Sequence, residues 1–249
     1  YKGKFTGKGQ YIYILDTGVS RNHIEFEDGN VISGYDFSDN DNDSTDEQGH
    51  GTHCAGIAAG KNKGIAPEAT IVSVRVLDSK GRGYTSDIVS GINWTVADCK
   101  ERQGGCVISM SLGGGKDTAL NIAVTKSLES GLIPVVAAGN DNKDACFYSP
   151  ASAPGAITVG STTREDKKSW FSNWGKCVDI FAPGSYISSS YYRNPTGYTT
   201  LSGTSMAAPH VAGAFALFLE KHGGGAADID IVISDLLGMA SQGLLRARD

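Results

Sequence analysis

The chain has 249 residues, of which 40% are hydrophobic, and its formal net charge is −5. With acidic residues in excess and no basic patch, the composition argues against nucleic acid as the main partner. The longest apolar run, Leu132 to Ala138, is far shorter than the roughly 20 residues of a membrane-spanning helix, so we predict no membrane span.

Short β-rich runs alternate with helical stretches along the chain. In chain order we predict strands at Tyr11–Leu15, Val31–Tyr35, Thr70–Val76, Cys106–Ser111, Ile133–Ala137, Ala156–Gly160 and Val178–Phe181. The predicted helices are His50–Ala59, Thr85–Lys100, Lys116–Ser130, Thr204–Lys221 and Asp228–Ala240. Strands that alternate with helices of this length indicate βαβ units, and the solidly apolar strands indicate a parallel sheet covered on both faces. The predicted fold class is therefore α/β.

Three short segments at the ends of these elements contain polar residues of the kinds that catalysis uses. They are Tyr13-Ile14-Leu15-Asp16-Thr17-Gly18, His50-Gly51-Thr52-His53-Cys54-Ala55-Gly56 and Ser202-Gly203-Thr204-Ser205-Met206-Ala207-Ala208-Pro209-His210. Each contributes one member of an acid–base–nucleophile set, namely Asp16, His50 and Ser205. This chain order separates the set from the chymotrypsin and α/β-hydrolase arrangements, which use the same groups in other orders.

Asp16 and His50 are candidates for an oriented general base. Asp16 ends an apolar strand, and ligands bind beyond the carboxyl ends of parallel strands. A carboxylate there can orient the imidazole of His50, whose pKa range suits proton transfer near neutrality. A lone Asp is more often a turn residue. His50 and His53 could instead hold a metal, but no Glu lies between them as in a zinc-binding HExxH helix, so we predict that His53 is a packed, hydrogen-bonded core residue.

Ser205 lies at a predicted helix start, where the helix N-terminus carries a partial positive charge that favours an oxyanion. A serine hydroxyl becomes a good nucleophile when a base takes its proton. Asn140 follows another apolar strand, and we predict that its side-chain N–H forms an oxyanion hole with the backbone N–H of Ser205. Taken singly, Ser205 would be an ordinary N-cap residue and Asn140 a turn residue.

Together these residues resemble the subtilisin-like serine proteases, or subtilases, over the range from about Gly7 to Leu219. The cysteine four residues after His50 makes the proteinase K-like branch the best match. The resemblance implies a three-layer α/β/α sandwich with a central, mostly parallel sheet of seven strands. It also implies endopeptidase activity through an acyl-enzyme, with Asp16, His50 and Ser205 as the triad and Asn140 as the oxyanion donor.

The resemblance extends to segments that would bind the substrate. Two stretches of small residues match the walls of the pocket for the side chain before the scissile bond: Ser111-Leu112-Gly113 and Ala137-Ala138-Gly139. Gly81, Gly83 and Tyr84 match an edge strand that pairs with the substrate backbone, with Tyr84 at the rim of the S4 subsite. Because main-chain pairing supplies affinity and the pocket walls are small, the resemblance implies broad specificity with an apolar or aromatic P1 preference.

Structural calcium is the cofactor that the resemblance implies, and no organic cofactor is expected. Pro154, Ala156 and Asp179 match positions that hold calcium in proteinase K-like enzymes, two through carbonyl oxygens and one through a carboxylate.

A second calcium candidate does not depend on the family. Four carboxylates lie in a stretch without Lys or Arg, and like charges this close repel unless they are solvated or bridged by a cation. They belong to Asp39, Asp41, Asp43 and Asp46. The spacing is not that of an EF-hand, so a calcium site and a solvated acidic loop both remain open.

The chain has five cysteines, so at least one thiol is free or pairs outside the chain. By resemblance, Cys146 and Cys177 match a disulfide of some proteinase K-like enzymes. A local bridge between Cys99 and Cys106 rests only on their positions at either side of a short polar loop. Cys54 is left over, one helical turn after the predicted base.

We expect residues 1–249 to form a single peptidase domain, because the candidate reactive residues span most of the chain. The chain starts at Tyr1, close to the first predicted strand, and we interpret it as the mature or trimmed core of a longer precursor. The tail matches the family poorly, and Leu244 to Asp249 is expected to be frayed or truncated.

We expect polypeptide substrates, a propeptide that acts as inhibitor and folding aid, a monomer, and neither nucleic acid nor membrane as partner. Disulfides suit a secreted, lumenal or vacuolar protein. Two alternatives stay open. One is an inactive binding protein on the same scaffold, although all four reactive residues are present. The other is a processing protease with a dibasic preference, because the acidic stretch from Asp36 to Glu47 lies close to His50 in sequence.

Overall fold

The computed structural model describes residues 3–26 and 29–242. Within these ranges the strands are β1 (Tyr11–Asp16), β2 (Val31–Asp36), β3 (Thr70–Arg75), β4 (Cys106–Met110), β5 (Gly114–Gly115), β6 (Ile133–Ala137), β7 (Tyr148–Ser149), β8 (Ile157–Thr162), β9 (Ile180–Pro183), β10 (Ile187–Ser190) and β11 (Tyr198–Leu201). The α-helices are α1 (His50–Ala59), α2 (Thr85–Lys100), α3 (Thr118–Glu129), α4 (Thr204–Lys221) and α5 (Ile229–Met239).

Seven strands form one sheet in the order β2-β3-β1-β4-β6-β8-β9, and all neighbouring strands run parallel. The chain adds β2 and β3 on one side of β1 and then continues with β4 on the other side. In open parallel sheets, ligands bind in the crevice where the strand order reverses in this way. Asp16 ends β1 and Ser111 follows β4, so both residues lie at that crevice.

The strands bury side chains on both faces of the sheet. Ile12 and Ile14 belong to a core cluster that contains residues of α1 and α4, whereas Tyr13 and Leu15 belong to a cluster that contains residues of α2 and α3. Successive side chains of a strand point to opposite faces, so β1 holds the two helical layers together. The predicted three-layer α/β/α sandwich with a seven-stranded sheet is confirmed.

Helices α1 and α4 pack closely because small residues form their contact. A Cβ atom built on Gly213 would lie 2.7 Å from the carbonyl oxygen of Ala58 and 2.8 Å from Cβ of Ile65. The position therefore has room for no side chain. This close contact brings together the two helices that begin at His50 and Thr204.

Some elements differ from the sequence prediction. The pairs β5–β7 and β10–β11 were not predicted, and β10 has three serines in four residues, so it lacks an apolar pattern. Gly81–Tyr84 is not a strand here; it is an exposed, irregular segment that leads into α2. The predicted final helix is present as α5, with Asp228 as its N-cap, and the predicted fraying of 244–249 lies outside the described residues. No helix in the described ranges is long and apolar enough to cross a membrane.

Candidate active site

The carboxylate of Asp16 and the imidazole of His50 form a close pair at the carboxyl edge of the sheet. His50 Nδ1 lies 2.8 Å from Asp16 Oδ1 and 2.9 Å from Oδ2. Because a carboxylate only accepts, Nδ1 carries the proton and Nε2 keeps a free lone pair in the neutral ring. The approach depends on Gly51, since a Cβ there would lie 2.2 Å from the carbonyl oxygen of Gly18.

The environment of His50 favours the charged imidazolium. Burial is the largest single influence and disfavours that form, but the Asp16 carboxylate and the contact with Cys54 together outweigh it, so the pKa of His50 is raised well above its usual value. The side chain of His50 is 25% exposed and that of Asp16 is 1% exposed. One edge of the imidazole is therefore accessible to a reactant, whereas the carboxylate of Asp16 is not.

The loop before His50 is held by the buried carboxylate of Asp46. Its Oδ1 accepts from Thr17 Oγ1, Gln48 N and Gly49 N at 2.8 to 2.9 Å, and its Oδ2 accepts from Thr52 N and Oγ1 at 2.9 and 2.6 Å. These donors include backbone N–H groups at the start of α1, which lack acceptors within the helix. Asp46 thus fixes where α1 begins.

A second set of contacts ties the same loop to the sheet. Arg75, at the end of β3, is 5% exposed and lies 3.0 Å from Asp36, 3.3 Å from Asp39 and 2.9 Å from Glu47. The stretch that has no Lys or Arg in sequence therefore receives a cation from a distant strand. The role of this arginine was not predicted, because no sequence feature near Arg75 or in the acidic loop indicates that the two pair.

The nucleophile candidate Ser205 lies in the first turn of α4, half-buried. Its hydroxyl donates to the carbonyl oxygen of Ser111 at 3.2 Å, and within the described residues it makes no hydrogen bond to His50. Cys54 Sγ lies 4.0 Å from His50 Nδ1 and 3.4 Å from the carbonyl oxygen of Ser205, so the two candidate residues lie on either side of one thiol.

The carbonyl group of Ser205 is freed by a proline. In a regular helix the N–H of residue 209 would donate to it, but Pro209 has no N–H. The oxygen instead accepts from Ser111 Oγ at 2.8 Å and from the thiol of Cys54 at 3.4 Å. Burial raises the pKa of Cys54, which keeps the thiol protonated as a donor. The roles of Ser111 Oγ and Cys54 in fixing the helix start could not be found from sequence spacing.

Asn140 is oriented by the residue before Ser205. Its Oδ1 accepts from the N–H of Thr204 at 2.8 Å and from the hydroxyl of Thr204 at 3.0 Å. Because the backbone N–H can only donate, these contacts define which side-chain atom of Asn140 is oxygen. The Nδ2 group has no hydrogen-bond partner among the described residues, and Ser205 N–H belongs to the unpaired first turn of α4. Two free donors therefore lie near the Ser205 hydroxyl.

A cavity of about 280 Å³ adjoins Ser205 and Asn140. Its walls include both predicted stretches, Ser111–Gly113 and Ala137–Gly139. Tyr148 and Asp141 also line it and were not predicted; both come from the segment that follows Asn140. Mostly small and apolar walls leave room for a large side chain, with one carboxylate at the exposed rim.

A larger groove of about 630 Å³ leads away from this cavity past His50. Gly81 and Gly83 form one wall and Gly113 the other, and Tyr84, next in the chain, is 77% exposed. A Cβ at Gly83 would lie 2.4 Å from the carbonyl oxygen of Val76, so the segment lies tightly on the strand end. Within the described residues, no backbone partner pairs with Gly83, which leaves its N–H and C=O groups available.

The two predicted calcium sites differ in how well the geometry of their residues fits an ion. Asp179 Oδ2 accepts from the N–H of Thr158 at 2.7 Å, and no cationic side chain among the described residues pairs with it. Partial shielding of this carboxylate raises its pKa. A carboxylate without a cation, next to the loop that contains Pro154 and Ala156, fits the oxygen-donor set that calcium prefers.

The carboxylates of the acidic loop do not converge on one point where a second ion could be shared. Within the described residues its carboxylates do not gather as metal ligands, and Asp46 is saturated by five hydrogen bonds. Asp41 and Asp43 are exposed and accept from backbone N–H groups two residues ahead. Of the four predicted ligands, Asp39 alone is paired with Arg75, which also pairs with Asp36 and Glu47. Of the two alternatives left open by the sequence, a solvated acidic loop therefore fits these contacts better than a calcium ion shared by Asp39, Asp41, Asp43 and Asp46, which stays an untested prediction.

The cysteines form two disulfides, and His53 lies in the core. Disulfides join Cys99 to Cys106 and Cys146 to Cys177, and Cys54 is free and buried. His53 is fully buried, and its Nε2 lies 3.2 Å from two carbonyl oxygens of the β10–β11 pair. Burial lowers the pKa of His53 to about 4, as expected of a neutral core residue.

The chain is similar to known proteins over most of its length. A model of the subtilase family matches residues 7–236. Alkaline serine exoprotease A of Vibrio alginolyticus is 50% identical over 222 residues, which are 89% of this chain and 40% of that protein. An extracellular serine proteinase of Thermus sp. (strain Rt41A) is 48% identical over 86% of this chain and 52% of its own length.

Two further similarities agree with these. Cerevisin of Saccharomyces cerevisiae is 50% identical over 88% of this chain and 35% of its own length. A crystal structure of a cold adapted subtilisin-like serine proteinase has a TM-score of 0.92 and 49% sequence identity, covering 98% of this chain and 87% of that one. The chain thus spans between 35% and 52% of these curated relatives.

Proposed function

Because the chain belongs to the subtilase family of serine proteases, we propose that it is an endopeptidase in which Ser205 attacks the peptide carbonyl. His50 is the general base, Asp16 orients that base, and Asn140 with the Ser205 N–H stabilises the oxyanion. The observation that carries the proposal is the hydrogen bonding from His50 Nδ1–H to the two carboxylate oxygens of Asp16. With the proton on Nδ1, Nε2 keeps its lone pair and can act as a base for Ser205 in the first turn of α4.

The first half of the reaction forms an acyl-enzyme. Ser205 Oγ leaves the carbonyl oxygen of Ser111 by rotation to another staggered rotamer and turns toward His50, since catalytic hydrogen bonds often become well aligned only when substrate is bound. His50 Nε2 takes the hydroxyl proton while an Oγ–C bond forms, and the carbonyl electron pair moves onto oxygen. As the oxyanion collapses, the C–N bond breaks and the leaving amine takes the proton from His50.

The second half regenerates the enzyme. A water molecule gives its proton to His50 Nε2 and adds to the ester carbonyl, so the oxyanion forms again between Asn140 Nδ2 and Ser205 N–H. Collapse then breaks the Oγ–C bond, and His50 returns the proton to Ser205 Oγ. Net consumption is one water per peptide bond, with both new termini released.

Substrate would lie in the groove as an extended strand. Free backbone groups of Gly83 and Gly113 can pair with its main chain, which gives affinity without demanding a sequence. The cavity beside Ser205 has small apolar walls at Ala137, Ala138 and Gly139, which supports a preference for apolar or aromatic P1 side chains. A dibasic preference has little support, because the stretch from Asp36 to Glu47 lines neither the groove nor the cavity, and its first and last carboxylates are paired with Arg75.

Structural calcium is proposed at one site. Asp179 would bind it through the carboxylate, and Pro154 and Ala156 through carbonyl oxygens. When bound, the ion would supply positive charge that ties the loop before β8 to the segment before β9. It would take no part in bond cleavage.

The setting of the enzyme is proposed from composition and relatives. Two disulfides and a relative named as extracellular support a secreted or lumenal location. Synthesis with an inhibitory propeptide that assists folding, action on polypeptides as a monomer, and the absence of nucleic acid or membrane partners remain part of the proposal.

Cleavage of a peptide anilide tests the function. Purified protein and its Ser205→Ala variant are compared on succinyl-Ala-Ala-Pro-Phe anilide, with circular dichroism to establish that both are folded. We expect turnover by the wild type and a loss of about 10⁶-fold in the variant, since removal of a triad serine abolishes acyl transfer. Equal turnover by both proteins would rule out Ser205 as the nucleophile, and a folded, inactive wild type would favour a binding scaffold.

A further inference from the structure

The side chain of Asn173 is fully buried and is hydrogen-bonded to the loop that contains Asn140. Its Oδ1 accepts from the N–H groups of Asp141 at 3.1 Å and Lys143 at 2.9 Å. Its Nδ2 donates to the carbonyl oxygen of Ala138 at 2.8 Å. Since an N–H group only donates and a carbonyl oxygen only accepts, these contacts define the orientation of the amide. One buried amide therefore contacts the backbone on both sides of Asn140.

The backbone of Asn173 makes a further contact with the same loop. Its N–H donates to the carbonyl oxygen of Gly139 at 2.9 Å. Gly139 has a φ of +100°, and a Cβ atom built on it would lie 2.4 Å from Asn173 Nδ2. Only glycine therefore lets the loop come this close to the amide. The residue directly before Asn140 is thus fixed against Asn173 as well.

The loop depends on these contacts because packing does not hold it. Residues 138–143 have no regular secondary structure, and residues 140–143 are exposed. Exposed backbone with few buried apolar contacts opens at low free-energy cost unless something else fixes it. The buried amide in turn needs partners, because an unsatisfied polar group in a protein interior is costly. The Asn173 amide and the loop backbone therefore satisfy each other.

The side chain of Asn140 is fixed at its oxygen, which accepts from the N–H and hydroxyl groups of Thr204. The position of its Nδ2, the proposed oxyanion donor, depends also on where the backbone of Asn140 lies. That backbone runs between residues that are bonded to Asn173. Asn173 itself lines neither the groove nor the cavity, so a substrate in them would not touch it.

We propose that Asn173 is a positioning residue for the oxyanion hole, because it holds the backbone on both sides of Asn140 and so aims Nδ2 at the carbonyl oxygen of the bound peptide. This rests on the proposed function. Donors that are already in place stabilise an oxyanion without rearrangement during the reaction. A loop displaced by about 1 Å would lose much of that stabilisation. Asn173 acts through Asn140 and contacts no reacting atom.

The test is a double-mutant cycle between Asn173→Leu and Asn140→Ala, with kcat and KM measured on the peptide anilide. Leucine is close to asparagine in size and forms no hydrogen bond through its side chain, so the loop loses its contacts without a large cavity. We expect Asn173→Leu to lower kcat by about 10- to 100-fold in the wild-type background, less than the roughly 10²–10³-fold loss on removal of an oxyanion donor.

The Asn140→Ala background separates positioning from general damage to the fold. If Asn173 acts through the Asn140 amide, Asn173→Leu should lower kcat there by less than about twofold, because the group that it positions is already absent. KM should change by less than about twofold in either background, since an interaction made only in the transition state affects kcat alone.

A second variant, Asn173→Asp, covers the case in which Asn173→Leu does not fold. Aspartate keeps oxygen acceptors for the N–H groups of Asp141 and Lys143 and lacks the donor to Ala138. It should therefore lower kcat less than leucine does, and this loss should also disappear in the Asn140→Ala background.

The matched control is Gln10→Met. The amide of Gln10 is 5% exposed and also bridges backbone groups, because Oε1 accepts from Gly105 N–H at 2.9 Å and Nε2 donates to the carbonyl oxygen of Lys8 at 3.1 Å. Gln10 lies just before β1, at the opposite end of that strand from Asp16. The substitution should lower the thermal midpoint and leave kcat unchanged.

Several results would overturn the inference while the proposed function stands. One is an equal loss of kcat in both backgrounds, because Asn173 would then act on something other than Asn140. Another is an unchanged kcat in folded Asn173 variants, and a third is a change confined to KM, which would indicate an effect on the wall of the cavity. A folded wild type that does not cleave the anilide, or full kcat in Asn140→Ala, would instead contradict the proposed function.

Discussion

At the scale of single residues, the reactive groups are held by atoms that lie outside their own motifs. Pro209 frees the carbonyl oxygen of Ser205, and Ser111 and Cys54 occupy it. Thr204 turns the amide of Asn140 so that its nitrogen is free. The motifs therefore contain the residues proposed to react, while residues from other strands and helices determine how those residues are oriented.

The pH dependence of catalysis should follow His50. Its pKa is raised above the ordinary value near 6.5, so the neutral base is lost as pH falls through that raised pKa, and the acid limb of kcat/KM should lie above pH 6.5. In Asp16→Asn the carboxylate is removed but burial remains, so the pKa of His50 falls and the limb moves to lower pH. The rate should also drop by about 10⁴-fold. A pH–rate profile with an unmoved limb would contradict this account.

Arg75 should be important for the loop that leads to His50. Replacement by Met leaves the buried Asp36 without its counter-ion, and removal of one partner of a buried ion pair costs roughly 3 to 5 kcal/mol in the free energy of unfolding. We expect a value at or below the lower end of that range, because Asp39 and Glu47 are each 57% exposed. Urea titration measures it.

The control for Arg75→Met is Arg82→Met. Arg82 is 71% exposed and lies 3.7 Å from Asp78, so its loss should change the free energy of unfolding by less than about 1 kcal/mol. If the two variants lowered the free energy of unfolding equally, the ion pairs of Arg75 would contribute no more to stability than an exposed ion pair does.

At the scale of elements, the contact between α1 and α4 brings the base and nucleophile helices together. Gly213→Val would place a side chain 2.7 Å from the backbone of α1 and force the helices apart. We expect a loss of about 1–3 kcal/mol or more from overpacking, together with reduced kcat, because the position of Ser205 relative to His50 changes. Thermal unfolding and peptide cleavage measure the two effects.

Gly238→Ala is the matched control. It also lies inside a helix, but a Cβ there meets no atom within 4 Å. The substitution should raise the free energy of unfolding by about 0.5–1 kcal/mol through helix propensity alone and leave kcat unchanged. If Gly213→Val were as well tolerated, the close helix contact would not be required for activity.

At the scale of the whole molecule, most of the framework could be predicted from the sequence. All seven sheet strands and the long helices have clear apolar patterns, and the reactive residues lie where those patterns end. The ion pair between Arg75 and Asp36 could not be predicted, because the register of two neighbouring strands brings these residues together and their spacing in the sequence does not reveal it. Because the pairing with Arg75 was not visible, the acidic loop resembled a cation site in the sequence. Strand β10 could not be predicted either, because it is rich in serine and lacks an apolar pattern.

Calcium at Asp179 should stabilise the folded chain as a whole. With the ion at about 100 times its Kd, the free energy of unfolding should rise by about 2.7 kcal/mol. Chelator should therefore lower the thermal midpoint of the wild type but not that of Asp179→Asn. Asp41→Asn in the acidic loop is the control and should respond as the wild type does. A chelator response retained in Asp179→Asn would place the ion elsewhere.

The most direct test of the central claim is covalent labelling by a serine-directed aryl phosphonate, followed by peptide mapping. The account predicts one adduct per chain, on Ser205 Oγ, because among the described residues this is the hydroxyl for which we propose both a base and two oxyanion donors. Labelling should be slower by about 10³-fold or more in His50→Ala and absent in Ser205→Ala. A folded wild-type chain that is unlabelled, or labelled at another residue, would contradict the assignment of Asp16, His50 and Ser205 as the catalytic set.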